Sequence, residues 1–215
     1  TMNPKKPNIS TELEAMTVID LQEEAELVGL ELYDAVLGNP IHAQNINVSG
    51  CKFNNVDIYE SRLQKFRAND FIAERGDMSV VNYSNSTFIR SEFISIRLTG
   101  TNFTQTTFLD VVFSSCKLNM ANFRYSKFKR VLFVDCEISE ADFSGSSFEL
   151  VVFENCTIEK VRFEQCTVKS LDVSESQISD TFGWLSMKNV TISPVQLIEI
   201  SPLIAQEIGL QIRDI

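Results

Sequence analysis

An apolar residue falls at every fifth position along most of this chain. The series passes through Phe53, Ile58 and Leu63, weakens, and then runs unbroken from Met78 to Ile178. Two positions before each member sits a small or β-branched residue, such as Thr101, Val111, Cys116, Ala121, Ser126 or Cys136. A helix repeats near 3.6 residues and a strand at 2, so a period of five fits neither. It fits a chain that points two residues inward, at i−2 and i, and then turns a corner.

A second period of twenty lies over the first. Every fourth central residue avoids Phe: Ile58, Met78, Leu98, Leu118, Ile138, Ile158 and Ile178, whereas positions 93, 113, 133 and 153 are all Phe. Four unequal sides per turn predict an all-β, four-cornered solenoid. Its coils stack about 4.8 Å apart, with Phe in three columns and aliphatics in the fourth. Each coil then touches only its neighbours. With 16 Phe but only eight Gly and five Pro, the corners are expected to be served by polar residues such as Ser, Asn, Asp and Thr.

The units GTNFT (100–104), MANFR (120–124) and EADFS (140–144) resemble the A-(D/N)-(L/F)-x-x unit of pentapeptide-repeat proteins. That resemblance implies a right-handed quadrilateral β-helix. Working backward, Leu27, Leu32 and Leu37 also fit, which places the solenoid at 25–180 after an N-terminal segment, 1–24, expected to be partly flexible. Eleven residues separate Leu37 from Val48, so a bulge is expected near 38–40. Between 64 and 80 the order inverts, Phe66 before Ala68 and Phe71 before Ala73. The swap either conserves interior volume or marks a distorted coil that carries function.

The C-terminal segment, 181–215, reads as a helical cap. Ser193, Pro194 and Gln196 form a capping box with Pro at the first helical position. Ser201–Pro202 opens or kinks a further turn, and Gly209 stops it. A cap is needed because the last coil leaves unpaired backbone groups and a bare apolar face. Leu197, Ile198, Leu203, Ile204 and Ile208 exceed what one capping surface needs, which marks them as candidate dimer contacts.

Composition limits what the rod can touch. With 29 acids against 19 Lys and Arg, the net charge of −10 argues against direct nucleic-acid binding and against an anionic membrane. No apolar run approaches the ~20 residues of a membrane span, and TMNPKKPNISTELE lacks the apolar core of a signal peptide, so a cytoplasmic location is expected. Five Cys then read as free thiols. Cys116, Cys136 and Cys156, twenty apart, should form a buried column. A linear column does not supply tetrahedral zinc ligands, and Cys51 and Cys166 read as packing residues too. His42 is the only His and has no nucleophile beside it in sequence. Outward carboxylates such as Glu140 and Asp142 lack a cleft to shift their pKa, and no glycine-rich phosphate loop appears. No catalytic, metal or cofactor residues are expected, and the chain reads as non-enzymatic.

Binding residues are sought on the outside. Val112, Leu132 and Val152 precede three stacked Phe and point out, with Val134 and Ile94 flanking them. They form either an exposed strand of high β-propensity or a contact strip for a protein. Glu137, Glu140 and Asp142 lie among acids spread along the rod, interrupted by Arg124, Lys127, Lys129 and Arg130. VTISPVQL (190–197) resembles the C-terminus of Qnr and MfpA proteins. That resemblance implies a homodimer joined through the cap. It also implies a rod that mimics duplex DNA, binds DNA gyrase or topoisomerase IV and modulates quinolone susceptibility. Duplex DNA carries a charge per about 1.7 Å, roughly 22 over the ~37 Å expected here, more than twice the net charge of this chain. The alternative is a protein-interaction scaffold without mimicry.

Overall fold

The computed structural model describes residues 2–16, 23–35 and 39–211. Its elements are β1 (Glu14–Met16), β2 (Glu26–Val28), β3 (Leu30–Tyr33), β4 (His42–Gln44), β5 (Asn47–Asn54), β6 (Arg62–Gln64), β7 (Arg67–Glu74), β8 (Thr87–Ile94), β9 (Thr107–Ser114), β10 (Lys127–Val134), β11 (Glu137–Ser139), β12 (Ser147–Glu159), β13 (Thr167–Val168), β14 (Leu171–Ser179), β15 (Val190–Thr191) and α1 (Pro194–Glu207). Every pairing is parallel, and neighbours along β5, β7, β8, β9, β10, β12 and β14 are successive coils. The register is the period of twenty made visible: Phe88 pairs Phe108, Phe108 pairs Phe128 and Phe128 pairs Phe148. The molecule is a four-sided parallel β-solenoid closed by one C-terminal helix.

Strand spacing stacks the rings. Phe93, Phe113, Phe133 and Phe153 lie over one another with centroids 4.9, 4.8 and 4.4 Å apart and planes within 8° of parallel. Phe88 to Phe148 form a second column, and Tyr83 to Phe163 a third. Columns meet edge to face inside, as Phe88 and Phe93 do at 5.4 Å and 67°, an arrangement that aromatic quadrupoles favour. The fourth wall, Met78 to Ile178, is aliphatic and buried.

The i−2 residues do more than fill space. Thr106, Ser126, Ser146 and Cys166 each donate to a carbonyl 23 residues earlier, those of Tyr83, Phe103, Phe123 and Phe143, at 2.9, 2.7, 2.7 and 3.2 Å. Cys116, Cys136 and Cys156 do the same for Phe93, Phe113 and Phe133. A small residue with a hydrogen-bond donor therefore pairs a buried carbonyl that would otherwise be costly.

The corners correct the sequence reading. From Asn45 to Gln165 every residue whose number is a multiple of five has positive φ, between 46° and 72°. The occupants include Lys65, Arg75, Val80, Met120 and Tyr125, not only the Asn, Asp, Ser and Thr expected. Left-handed backbone costs an L-residue roughly 1–2 kcal/mol. Most of these N–H groups, however, donate to a carbonyl of the next coil, as Gln105 does to Arg124 at 2.9 Å and Met120 to Ser139 at 2.7 Å. The ladder imposes the conformation whatever the side chain.

The inverted coil keeps its register, with Ala68 opposite Phe88 and Ala73 opposite Phe93. Phe66 and Phe71 fill from i−2 the space their Ala neighbours vacate, and Phe71 touches Phe53 and Phe93 edge-on. Leu32 pairs Phe53, 21 residues on, while Arg62 bonds Ile41 in the ordinary 20-residue frame. The extra residue thus falls between Ala35 and Ile41; Leu37 and Gly38 lie outside the described residues.

Two boundaries differ from expectation. β1 pairs β3 ahead of residue 25, and β15, inside the expected cap segment, adds a last parallel strand to β14. The helix forms as its start signal implies. The Ser193 Oγ accepts from the Gln196 N–H at 3.2 Å, and Gln196 Oε1 accepts from the Ser193 N–H at 2.7 Å. Ser201–Pro202 does not start a new helix; α1 runs through it. Pro202 cannot donate to the Ile198 carbonyl, and the Ser201 hydroxyl does so instead, at 3.0 Å.

Candidate protein-interaction surface

The outward face between the Phe88 and Phe93 columns carries the candidate ridge. Val112, Leu132 and Val152 stand in one register, continuous over three coils and closed by Glu92 at one end and Asp172 at the other. All three are half-buried. Ile94 and Val134 belong to the adjoining column but are not neighbours, since Ser114 separates them and Glu74 and Glu154 bound them.

The candidate acids lie elsewhere on the tube. Glu137 sits on the aliphatic wall and faces Lys117 at 3.7 Å. Glu140 occupies a corner with φ of 57°. Asp142 lies on the wall of the Tyr83 column, 3.6 Å from Arg124, and its Oδ1 accepts the Ser144 N–H at 2.8 Å. Asn82, Asn102 and Asn122 make the same turn bond in the coils before it. Asp142 is thus the last of a ladder of Asx turns. The apolar and acidic candidates do not form one patch.

Charge is arranged in vertical pairs. Asp70 holds Arg90 through two bonds of 2.7 and 2.6 Å, and Asp110 holds Arg130 through two of 2.7 Å. Their guanidinium partners hold both carboxyls below the usual range, against the opposing effect of burial. Glu149 lies between Lys129 at 2.6 Å and Lys169 at 2.9 Å, which bring it down to about 2. Signs therefore alternate along these columns and break the negative field.

The thiols are all free and buried. Cys136 is pushed up to about 12 by its thiol neighbour Cys116 and by burial, and Cys166 to about 11 by burial. His42 lies exposed on β4 beside Arg62. Among the described residues no cluster of His, Cys, Asp and Glu could hold a metal ion, and no helix is long and apolar enough to cross a membrane.

At the cap, Leu203 and Ile204 are partly buried and pack against the core. Leu197, Ile198 and Ile208 are 53%, 74% and 53% exposed, joined by Val195 and Leu210. Sequence reasoning missed the N-terminal segment. The Lys5 N–H donates to Asp110 at 3.1 Å and the Asn8 N–H to Asp70 at 2.9 Å, so this segment lies along the rod. The alternation of Asp70, Arg90, Asp110 and Arg130 at twenty-residue spacing was the available signal.

Together these features define a class: a parallel β-solenoid with four walls, a stacked aromatic interior, and an outer surface of strands and corners. The model of the pentapeptide repeat region matches residues 65–143 and 86–163, so residues 65–163 form a pentapeptide-repeat region. No curated protein matches the sequence. Among solved structures it is similar to a trypsin-treated variant of QnrB1, a plasmid-mediated fluoroquinolone resistance protein, at 15% identity and a TM-score of 0.38, over 89% of this chain and 99% of that one. Full-length QnrB1 gives 15% identity and 0.30 over 86% and 100% of the two chains. The pentapeptide repeat protein Rfr23 from the cyanobacterium Cyanothece 51142 gives 10% and 0.24 over 68% and 89%.

Proposed function

We propose that this chain is a non-enzymatic rod that binds a protein, and that the partner is DNA gyrase or topoisomerase IV, engaged through DNA mimicry in a way that alters quinolone susceptibility. The observation that carries the reading is an acidic outer surface on an unbroken stack of coils: a net charge of −10 on walls repeating at about the strand spacing. A basic DNA-binding groove attracts such a surface from a distance. The rod acts as a homodimer joined at the cap, where Leu197, Ile198 and Ile208 stand exposed, and it works in the cytoplasm. The test is gyrase supercoiling at micromolar protein. Inhibition or protection that fades as salt is raised supports mimicry, and no response over the same range refutes it. Ile198→Asp should halve the mass found by sedimentation.

A second reading is a scaffold without mimicry. It is favoured by the alternating pairs Asp70–Arg90 and Asp110–Arg130, which leave no uniform stripe of negative charge. Here Val112, Leu132 and Val152 carry the contact. Val112→Asp with Leu132→Asp should abolish partner capture and leave supercoiling unchanged.

A further inference from the structure

The N-terminal segment meets the rod at a fixed interval. The N–H of Lys5 donates to Asp110 and that of Asn8 to Asp70. Met2, three residues before Lys5, lines one cleft with Leu132, Leu150 and Val152. Residues 150, 110 and 70 belong to one corner column, two coils apart at each step. Two coils span about 9.6 Å at the strand spacing, and three residues of a polyproline II helix span about 9.3 Å. Strap and corner are commensurate, one turn of such a helix to every two coils.

The strap sequence fits that geometry. Residues 3–8 read NPKKPN, and each donating residue follows a proline, Pro4 before Lys5 and Pro7 before Asn8. Proline favours the extended form and stiffens it in advance. Pro4 is buried against the rod. The acceptors are built for the purpose. The Asp110 side chain is only 4% exposed and Asp70's 15%. Each carboxylate is clamped by an arginine, and one of its oxygens also takes the strap's N–H. The contacts use backbone groups, so any peptide with prolines at this spacing could make them. Lys5 and Lys6 add positive charge opposite an acidic body.

We propose that this corner is a binding track for an extended Pro-x-x-Pro peptide, and that residues 2–10 are its resident ligand. Met2 shares a cleft with Leu132 and Val152, and Lys5 and Asn8 occupy the acceptors on Asp110 and Asp70, so a partner carrying such a segment must displace the strap. The track is therefore closed in the resting chain and opens by exchange. The track does not depend on a topoisomerase being the partner.

The test leaves every coil residue untouched. In the full chain, Lys5→Pro with Asn8→Pro removes both N–H donors and keeps the extended conformation. A fluorescent peptide TMNPKKPNIS is then added. It should bind this variant at micromolar concentration and the unaltered chain at least tenfold more weakly, because the unaltered site is occupied. The same peptide carrying proline at its fifth and eighth positions should bind the variant at least tenfold more weakly, as loss of hydrogen bonds to charged acceptors implies. In the unaltered chain the Lys5 and Asn8 amides should exchange with deuterium at least tenfold more slowly than in the free peptide. Equal binding of the two peptides, no binding to the variant, or free-peptide exchange at both amides overturns the proposal.

Discussion

The side-chain amide of Gln196 donates to the Val173 carbonyl at 2.6 Å, 23 residues earlier in the chain, and to that of Ser176 at the same distance. This is the reach by which Thr106 and Ser126 serve the coils below them. Gln196 thus replaces the strand that a further coil would have brought. Ser186 and Asn189 do likewise for Phe163 and Val168. The Glu207 carboxylate completes the cap by accepting the N–H groups of Gly183, Trp184 and Leu185.

Gln196→Leu keeps the volume and orphans two carbonyls. Buried unsatisfied acceptors cost about 1–3 kcal/mol each. The loss should appear first at Trp184, the only Trp of the chain and buried beneath the cap. Its fluorescence transition in urea should move to lower denaturant, ahead of the far-ultraviolet signal of the rod.

Val80 is β-branched, 58% exposed and at φ of 58°. Val80→Asn should stabilise the protein by about 1 kcal/mol, because Asn tolerates the left-handed region. Gly76→Ala should cost about 2–3 kcal/mol, since φ is 112° and an added Cβ would collide with the backbone of Val56. Thermal melts of the two variants should shift in opposite directions.

Phe133 is stacked on both sides, by Phe113 and Phe153. Phe133→Ala should cost about 3–5 kcal/mol. Phe182, 45% exposed near the end of the tube, should lose under about 1 kcal/mol on the same change. Urea titrations of both variants compare an interior ring with one at the end.

Asp110 has a lowered folded-state pKa owing to Arg130. Its contribution is complete above the usual carboxylate value near 4 and disappears as pH falls from there through the folded value. Asp110→Asn should lower stability at pH 7 by about 1–3 kcal/mol. The loss relative to the unaltered chain should shrink below pH 4, as urea midpoints measured across pH would record.

The five thiols are buried, and thiolate is the reactive form. An aromatic disulfide reagent should release almost no chromophore from the native protein at pH 8, and five equivalents after denaturation in guanidinium.

The two periods in the sequence determined the tube itself. A residue of fixed size at every fifth position, repeated at twenty, leaves one way to bury it, and Phe133 over Phe153 follows from counting. The capping box at Ser193 and the apolar excess of α1 were legible for the same reason, since each is a local pattern. Other features rest on positions far apart in sequence, and only the tertiary structure decided them. Backbone ladders between coils hold Val80 and Tyr125 in a conformation their side chains disfavour. Asp110 is clamped because Arg130 lies over it one coil on, and Leu203 packs against the core. Lys5 reaches Asp110 across 105 residues. A sequence names the groups that can donate and accept, but which of them meet is set by how the coils align.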